Sequence, residues 1–224
     1  MDQPGLDLRQ HVAALDALGL ANTVSRTAAT IWPEIREAAR DTAGRRLRVL
    51  DVACGGGHVL VALARRAAAE GVDVEWTGWD TSRVAVDYAS TLANRSRVKR
   101  VWFEQADALR DPMPAGVDVV VSTLFLHHLT DADAVALLGR MRDAAARAVL
   151  VSDLRRTPLG RLFTWVGCRL LSRSRVFHVD GGRSIAAALT TREARDLARG
   201  ACLSGAEVDE VWPQRWRLIW RRSA

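Results

Sequence analysis

Apolar positions recur at helical spacing along residues 6–40, where Leu15, Leu18, Leu20 and Val24 follow the pattern and Trp32-Pro33 predicts a break. The period then shortens. Residues 48–53 predict a buried strand that runs into Gly55-Gly56-Gly57, and the Ala- and Leu-rich residues 59–69 predict a helix. A second strand is expected over 72–79, closed by Asp80, then a helix over 82–93 and a third strand over 98–105. Residues 117–122 are almost entirely β-branched and predict a fourth strand. Thr130 is placed to cap a helix over 131–146, and residues 148–152 predict a fifth strand.

Strands alternating with helices at this spacing imply right-handed βαβ units and an open parallel sheet. The C-terminal end departs from that pattern. Thr190-Thr-Arg-Glu193 has the form of a capping box that opens a helix to about residue 202. Strand-like runs follow over 206–212 and 216–221, separated only by Pro213-Gln214-Arg215, and so short a connection makes the pair antiparallel. Residues 153–189 exceed what such a sheet needs and are expected to form an inserted cap. The chain thus reads as one domain over 1–224. It comprises a helical segment 1–44, a ligand-binding core 45–153, a cap 154–189, and a C-terminal helix and strand pair 190–224.

Composition narrows the class. With 224 residues, 49% hydrophobic and 26% charged, the chain is neither disordered nor fibrous. No apolar run reaches the ~18 residues of a membrane span. The start Met-Asp-Gln-Pro-Gly lacks the basic and apolar regions of a signal peptide, so the expected location is the cytoplasm. Cys54, Cys168 and Cys202 form neither an even set nor a Cys-x-x-Cys spacing, which argues for a reducing compartment and against a structural zinc. The net charge of +6 is unevenly spread: residues 1–153 hold 18 Lys/Arg against 20 Asp/Glu, whereas 154–183 hold seven arginines and a single acid, Asp180. The excess belongs to the cap. It suits an acidic acceptor or an anionic membrane surface beneath the cap better than a whole-protein nucleic-acid field.

Asp51-Val-Ala-Cys-Gly-Gly-Gly57 lies between a predicted strand and helix, where parallel α/β sheets bind ligands and glycines let the backbone approach them. A phosphate-gripping P-loop requires a lysine after the glycines, and the only lysine, Lys99, is 42 residues beyond Gly57. A dinucleotide fingerprint finds Gly55 and Gly57 but Leu60 at the third glycine position, and Asp51 would set a carboxylate beside a pyrophosphate. S-adenosylmethionine carries an ammonium and a sulfonium and no phosphate, so an acid at the loop attracts it.

Val49-Leu-Asp-Val-Ala-Cys-Gly-Gly-Gly57 resembles the first motif of the class I S-adenosylmethionine-dependent methyltransferases. Asp80 matches the acid with which that family binds both ribose hydroxyls. Phe103-Glu-Gln-Ala-Asp-Ala108 resembles its adenine-contacting motif, with Asp107 accepting from the exocyclic amine, and residues 118–128 resemble the segment that lines the methyl group and the substrate. The resemblance covers about residues 45–153. It implies an α/β, Rossmann-like sheet of seven mostly parallel strands with an antiparallel C-terminal pair, here with a helical cap inserted after strand five. It also implies cofactor contacts at Asp51, Ala53, Gly55, Gly57, Asp80, Thr81, Asp107, Ala108 and Ser122. Ala53 stands where the fullest form of the motif has glycine.

His127 and His128 leave the fourth strand in succession, so at most one need face the pocket. A neutral histidine can take the proton of a hydroxyl acceptor at pH 7; the bland alternative is that both pack or cap the next helix. His178 is a comparable candidate from the cap, with Asp180 to orient it. Residues 159–171 predict a cap helix that buries Leu162, Phe163, Val166, Leu170 and Leu171, with Arg161, Trp165, Arg169 and Arg173 along another face. Arg155 or Arg156 is placed to clamp an anionic group, and Phe125 and Trp165 to line an apolar acceptor. No metal is implied. Ser122-Thr-Leu-Phe125 does not resemble the Asn/Asp-Pro-Pro-aromatic motif of enzymes that methylate nucleobase amines. The expected function is methylation of a small aromatic or lipophilic acceptor, O-methylation ahead of C-methylation, as in polyketide, phenol or quinone tailoring. RNA methylation and a non-catalytic S-adenosylmethionine-binding protein are the alternatives. Peripheral contact of the basic cap with a membrane is a further expected partnership.

Overall fold

Val119, Val120 and Val121 are all fully buried because strand β4 (Val117–Thr123) is covered on both faces, which is why its sequence is continuous rather than alternating. The structure, a computed structural model, describes residues 8–223 other than 41, 43 and 172–174. The side chains of 8–10, 170, 171, 175–178 and 180 also lie outside the description. The sheet contains β1 (Leu47–Val52), β2 (Val74–Asp80), β3 (Val101–Gln105), β4, β5 (Ala145–Leu154), β6 (Glu207–Val211) and β7 (Arg215–Arg221), in the order β3-β2-β1-β4-β5-β7-β6. All pairings from β3 to β5 are parallel, whereas β7 runs antiparallel to both β5 and β6. The expected sheet and its antiparallel final pair are both present.

Two apolar clusters hold the layers. On one face α2 (Thr27–Arg40) and α3 (His58–Glu70) pack Ile31, Trp32, Ile35, Leu60 and Leu63 against Val49, Val119, Val121 and Leu150. On the other, α5 (Asp131–Ala144) and α8 (Thr191–Gly200) pack Leu137, Leu138, Met141 and Leu197 against Leu50, Val120, Val149 and Trp216. Thr130 caps α5, and Thr190 with Glu193 forms both halves of the capping box of α8. The helix α4 (Arg83–Arg95) is capped by Ser82.

Pro33 does not break the first helical segment. It lies inside α2, and the break falls at Ser25-Arg26, after α1 (Leu8–Val24). Hydroxyls near that junction compete for helical partners: Thr23 Oγ1 donates to Gly19 O at 2.9 Å and Ser25 Oγ to Ala21 O at 2.7 Å. Thr27 Oγ1 donates to Asn22 Oδ1 at 3.0 Å, and Arg26 takes φ 51°. The lost donor and ring clash at Pro33 cost about 3 kcal/mol. Burial of Ile31, Trp32 and Ile35, at about 1.5–3 kcal/mol each, outweighs that cost.

Two helices, α6 (Pro158–Leu171) and α7 (Arg175–Ala187), stand between β5 and α8 in the place of the expected cap. The second of them was not expected. Its Gly181 sits so close to Cys168 on α6 that a Cβ would collide with the thiol. The expected burial on α6 is also corrected: Leu162, Phe163 and Val166 are exposed, and Leu170 and Leu171 fall outside the described side chains. The helix spans an opening beyond the sheet instead of lying on it, so its apolar stripe faces a cavity. Ala17 of α1 packs on Cys168, and Leu15, Leu18 and Ala21 of the same helix border that cavity.

Candidate active site

The chain leaves β1 through left-handed backbone at Ala53 (φ 58°), Gly55 (φ 54°) and Gly57 (φ 71°) before α3 begins. At Gly57 a Cβ would stand 2.7 Å from the Phe103 ring and 2.8 Å from the Ala89 methyl, so both the torsion and the space require glycine. Asp80, at the tip of β2, ties the loop to its neighbour: Oδ2 accepts from Gly55 N at 2.8 Å and Oδ1 from Ser82 N at 2.9 Å. Asp51 lies buried behind it. Burial, reinforced by the Asp80 charge, pushes its carboxyl up to about 8, and Oδ1 has no hydrogen-bond partner among the described residues. The Cys54 thiol is also pushed up by burial, which leaves it a poor nucleophile.

Ala53, Gly55, Asp80, Thr81, Asp107, Ala108 and Phe125 border one cavity of about 1120 Å³ at the carboxyl edge of the sheet. Asp107 Oδ1 accepts from Leu109 N at 2.9 Å, so a local capping role coexists with its place on the cavity wall. Ser122 is fully buried within β4, its hydroxyl without a partner among the described residues, and Ser122, Asp51 and Gly57 are not among the cavity-lining residues.

Leu124, just after β4, takes φ 57° and its amide donates to Ser152 O at 2.9 Å, which turns the chain into a 3-10 turn over Leu126–His128. The turn separates the two histidines. His127 is buried, and its Nδ1 lies 2.6 Å from Oδ1 of Asp153, while Oδ2 accepts from the His127 amide at 3.2 Å. Its Nε2 has no partner among the described residues, and the residue borders the cavity. Burial opposes ionisation of Asp153. The His127 charge and hydrogen bond, with the Leu154 and His127 amides, outweigh burial and hold the carboxyl below its ordinary range. His128 is exposed, borders the same cavity, and stacks on His127 with ring centroids 4.1 Å apart.

The cap candidates fall elsewhere. Arg155 pairs with Glu210, and Arg156 with Glu193, so both clamp arginines are engaged at the foot of the cap. Trp165 is exposed under the Arg169 guanidinium, 4.1 Å from its ring centroid, and does not border the cavity. Leu162, Phe163 and Val166 take that lining position instead. His178 belongs to α7, but its side chain lies outside the described residues. Sequence reasoning missed Asp153 and Arg215, the latter 3% exposed on the cavity wall. Asp153 carried a usable signal, since like Asp80 it is an acid near the carboxyl end of a strand at the ligand edge.

The sheet order 3-2-1-4-5-7-6, the glycine loop after β1 and the acid tipping β2 are the arrangement that the resemblance to class I S-adenosylmethionine-dependent methyltransferases implies. Residues 49–147 match the family described as methyltransferase domain. The ubiquinone biosynthesis O-methyltransferase of Alkalilimnicola ehrlichii is 32% identical over 126 residues, 55% of this chain and 48% of that protein. Human N-acetylserotonin methyltransferase, solved with S-adenosylmethionine, superposes with a TM-score of 0.67 at 15% identity, covering 99% of this chain and 61% of that one. An O-methyltransferase family 2 protein from Planctomyces limnophilus, solved with apigenin, gives 0.65 at 16% identity, covering 100% and 64%. The chain spans about half the length of the curated O-methyltransferases it matches. No helix among the described residues is long and apolar enough to cross a membrane.

Proposed function

We propose that this chain transfers a methyl group from S-adenosylmethionine to a hydroxyl oxygen of an apolar, aromatic small molecule. The observation that carries this is the buried His127–Asp153 pair, whose unpartnered Nε2 belongs to a residue on the wall of a large, mainly apolar cavity. The same cavity is bordered by Asp80 and the glycine loop.

The residues present fit the cofactor. Asp51 is a buried acid with an orphaned oxygen and a strongly opposed charge, which a cationic ligand nearby would relieve. Asp80 would receive the ribose hydroxyls, and Asp107 and Ala108 would border the adenine. When bound, S-adenosylmethionine supplies an electrophilic methyl on a sulfonium. The chain's own task is to hold the acceptor oxygen in line and to remove its proton. Asp153 accepts the Nδ1 hydrogen of His127, which leaves the Nε2 lone pair free to receive the hydroxyl proton as the oxygen–methyl bond forms and the sulfur–methyl bond breaks. Incubation with methyl-labelled cofactor and a panel of phenols is expected to give labelled methyl ethers. Label on ring carbon favours C-methylation, and label found only in structured RNA overturns the small-molecule assignment.

A second observation bears on where an acceptor of this kind is met. Trp165 and Trp212 are 57% and 70% exposed, and Phe163 on the cavity wall stacks edge-on against Trp212 at 5.7 Å. With Arg161 and Arg169 also exposed on α6, we propose that this basic, apolar rim rests on an anionic lipid surface. Co-sedimentation with phosphatidylglycerol vesicles but not with phosphatidylcholine vesicles is the expected result, and sedimentation with neither, or equally with both, would overturn it.

A further inference from the structure

Arg215 opens β7, where it pairs with Leu154 at the end of β5. Its side chain is almost wholly buried yet borders the cavity. Nη2 donates to Ser25 Oγ at 2.7 Å, while Nη1 finds no acceptor among the described residues. Burial pulls the guanidinium down to about 10, against the opposing pull of Asp153. That acid is already engaged by His127 and by two backbone amides. Three acid-paired arginines are all more exposed than Arg215: Arg45 forks onto Asp118, Arg155 pairs with Glu210 and Arg156 with Glu193. Arg183, which also borders the cavity, is exposed.

A buried guanidinium with an unfilled donor is costly unless an anion meets it, and its planar fork matches a carboxylate. We propose that, within the methyl-acceptor cavity proposed above, Arg215 is the anion-binding group and takes a carboxylate of the acceptor, so that hydroxyaryl carboxylates are preferred over neutral phenols. The cofactor's own carboxylate is the other source of this chemistry. Sheet order argues against it: β7 stands four strands from β2, or roughly 19 Å from the Asp80 ledge at ~4.8 Å per strand. His127, on the turn after β4, lies between those two ends, as a base acting on a hydroxyl remote from the carboxylate should.

The test is calorimetric binding of 6-hydroxy-2-naphthoate and its neutral carboxamide to the full chain, with and without saturating S-adenosylhomocysteine. Wild type is expected to prefer the carboxylate about tenfold or more. Arg215→Met should abolish the preference while leaving S-adenosylhomocysteine affinity within about twofold. Arg215→Gln, which keeps a donor for Ser25, serves if the Met variant does not melt cooperatively. Equal wild-type affinities, a preference that survives either folded substitution, or no measurable binding of either probe overturns the proposal. A matching loss of S-adenosylhomocysteine affinity reassigns Arg215 to the cofactor and also overturns it. Because binding is read without turnover, an intact Arg215-dependent preference with no methyl transfer would sink the enzymatic proposal alone.

Discussion

The imidazole of His127 and the carboxylate of Asp153 meet at 2.6 Å, their side chains only 3% and 1% exposed. They come from adjacent parallel strands, one from the turn after β4 and the other from the end of β5, so the sheet itself fixes the pair. General-base assistance of this kind is worth about 10²–10⁴ in rate. His127→Ala is therefore expected to lower the methyl-transfer kcat by that range with little change in S-adenosylhomocysteine affinity. Asp153→Asn should lower kcat as well, because an amide no longer holds the Nδ1 hydrogen. Full activity in either variant would remove the base from the mechanism.

Asp51 should make the protein less stable as pH rises. Its folded carboxyl sits at about 8, against about 3.9 for an unperturbed aspartate. Between those values the folded state holds a proton that the unfolded state has released, so stability falls with increasing pH across that window. Chemical denaturation at pH 5 and pH 8 should show this slope, flattened in Asp51→Asn.

A cationic ligand beside Asp51 favours the carboxylate, so S-adenosylmethionine binding at pH 7 should release a proton. Calorimetry in phosphate and in Tris should then give different apparent enthalpies, and identical enthalpies would contradict the link.

Ala53 holds a left-handed conformation that costs an L-residue about 1–2 kcal/mol, whereas glycine adds about 0.5–1 kcal/mol of unfolded-state entropy. Ala53→Gly is thus expected to be neutral or stabilising by up to about 1 kcal/mol. Gly57→Ala should destabilise instead, since its Cβ meets Phe103 and Ala89. Thermal melts of the two variants should move in opposite directions or leave only the second one shifted.

Asp118 is fully buried at the amino end of β4, where Oδ1 and Oδ2 accept from Arg45 at 2.5 and 2.7 Å and Oδ2 also accepts from Arg48 N at 2.9 Å. Arg45 itself is half exposed, so solvent screens part of the pair. Asp118→Ala is expected to cost about 2–3 kcal/mol in denaturant unfolding, below the full range for a wholly buried pair.

The sheet was legible because its signals are local. The Val-rich β4, the glycines after β1 and the Thr190–Glu193 capping box each act within a few residues. Pro33 misled because the decisive terms are tertiary, namely the burial of Trp32 and its neighbours. The cap misled because periodicity shows that Leu162, Phe163 and Val166 share a helical stripe but not whether that stripe meets a core or a cavity. Asp153 and Arg215 needed strand neighbours that lie far away in sequence. An arginine in a strand also reads as solvated until both faces of that strand are known to be covered.

The contact between Ala17 and Cys168 joins an N-terminal helix to one inserted after β5, and neither helix belongs to the sheet. The roof over the cavity is therefore assembled from two pieces of chain with different ties. The helix α1 sets Gly19 against His58 at the start of α3 and takes the Tyr88 hydroxyl on Asp16, so a tilt of it reaches the helices that follow the glycine loop and Asp80. The exposed stripe of α6, in contrast, can change side chains locally. Under the proposed function, acceptor choice is then adjustable from the α6 side of the roof, while a change on the α1 side also bears on the proposed cofactor site.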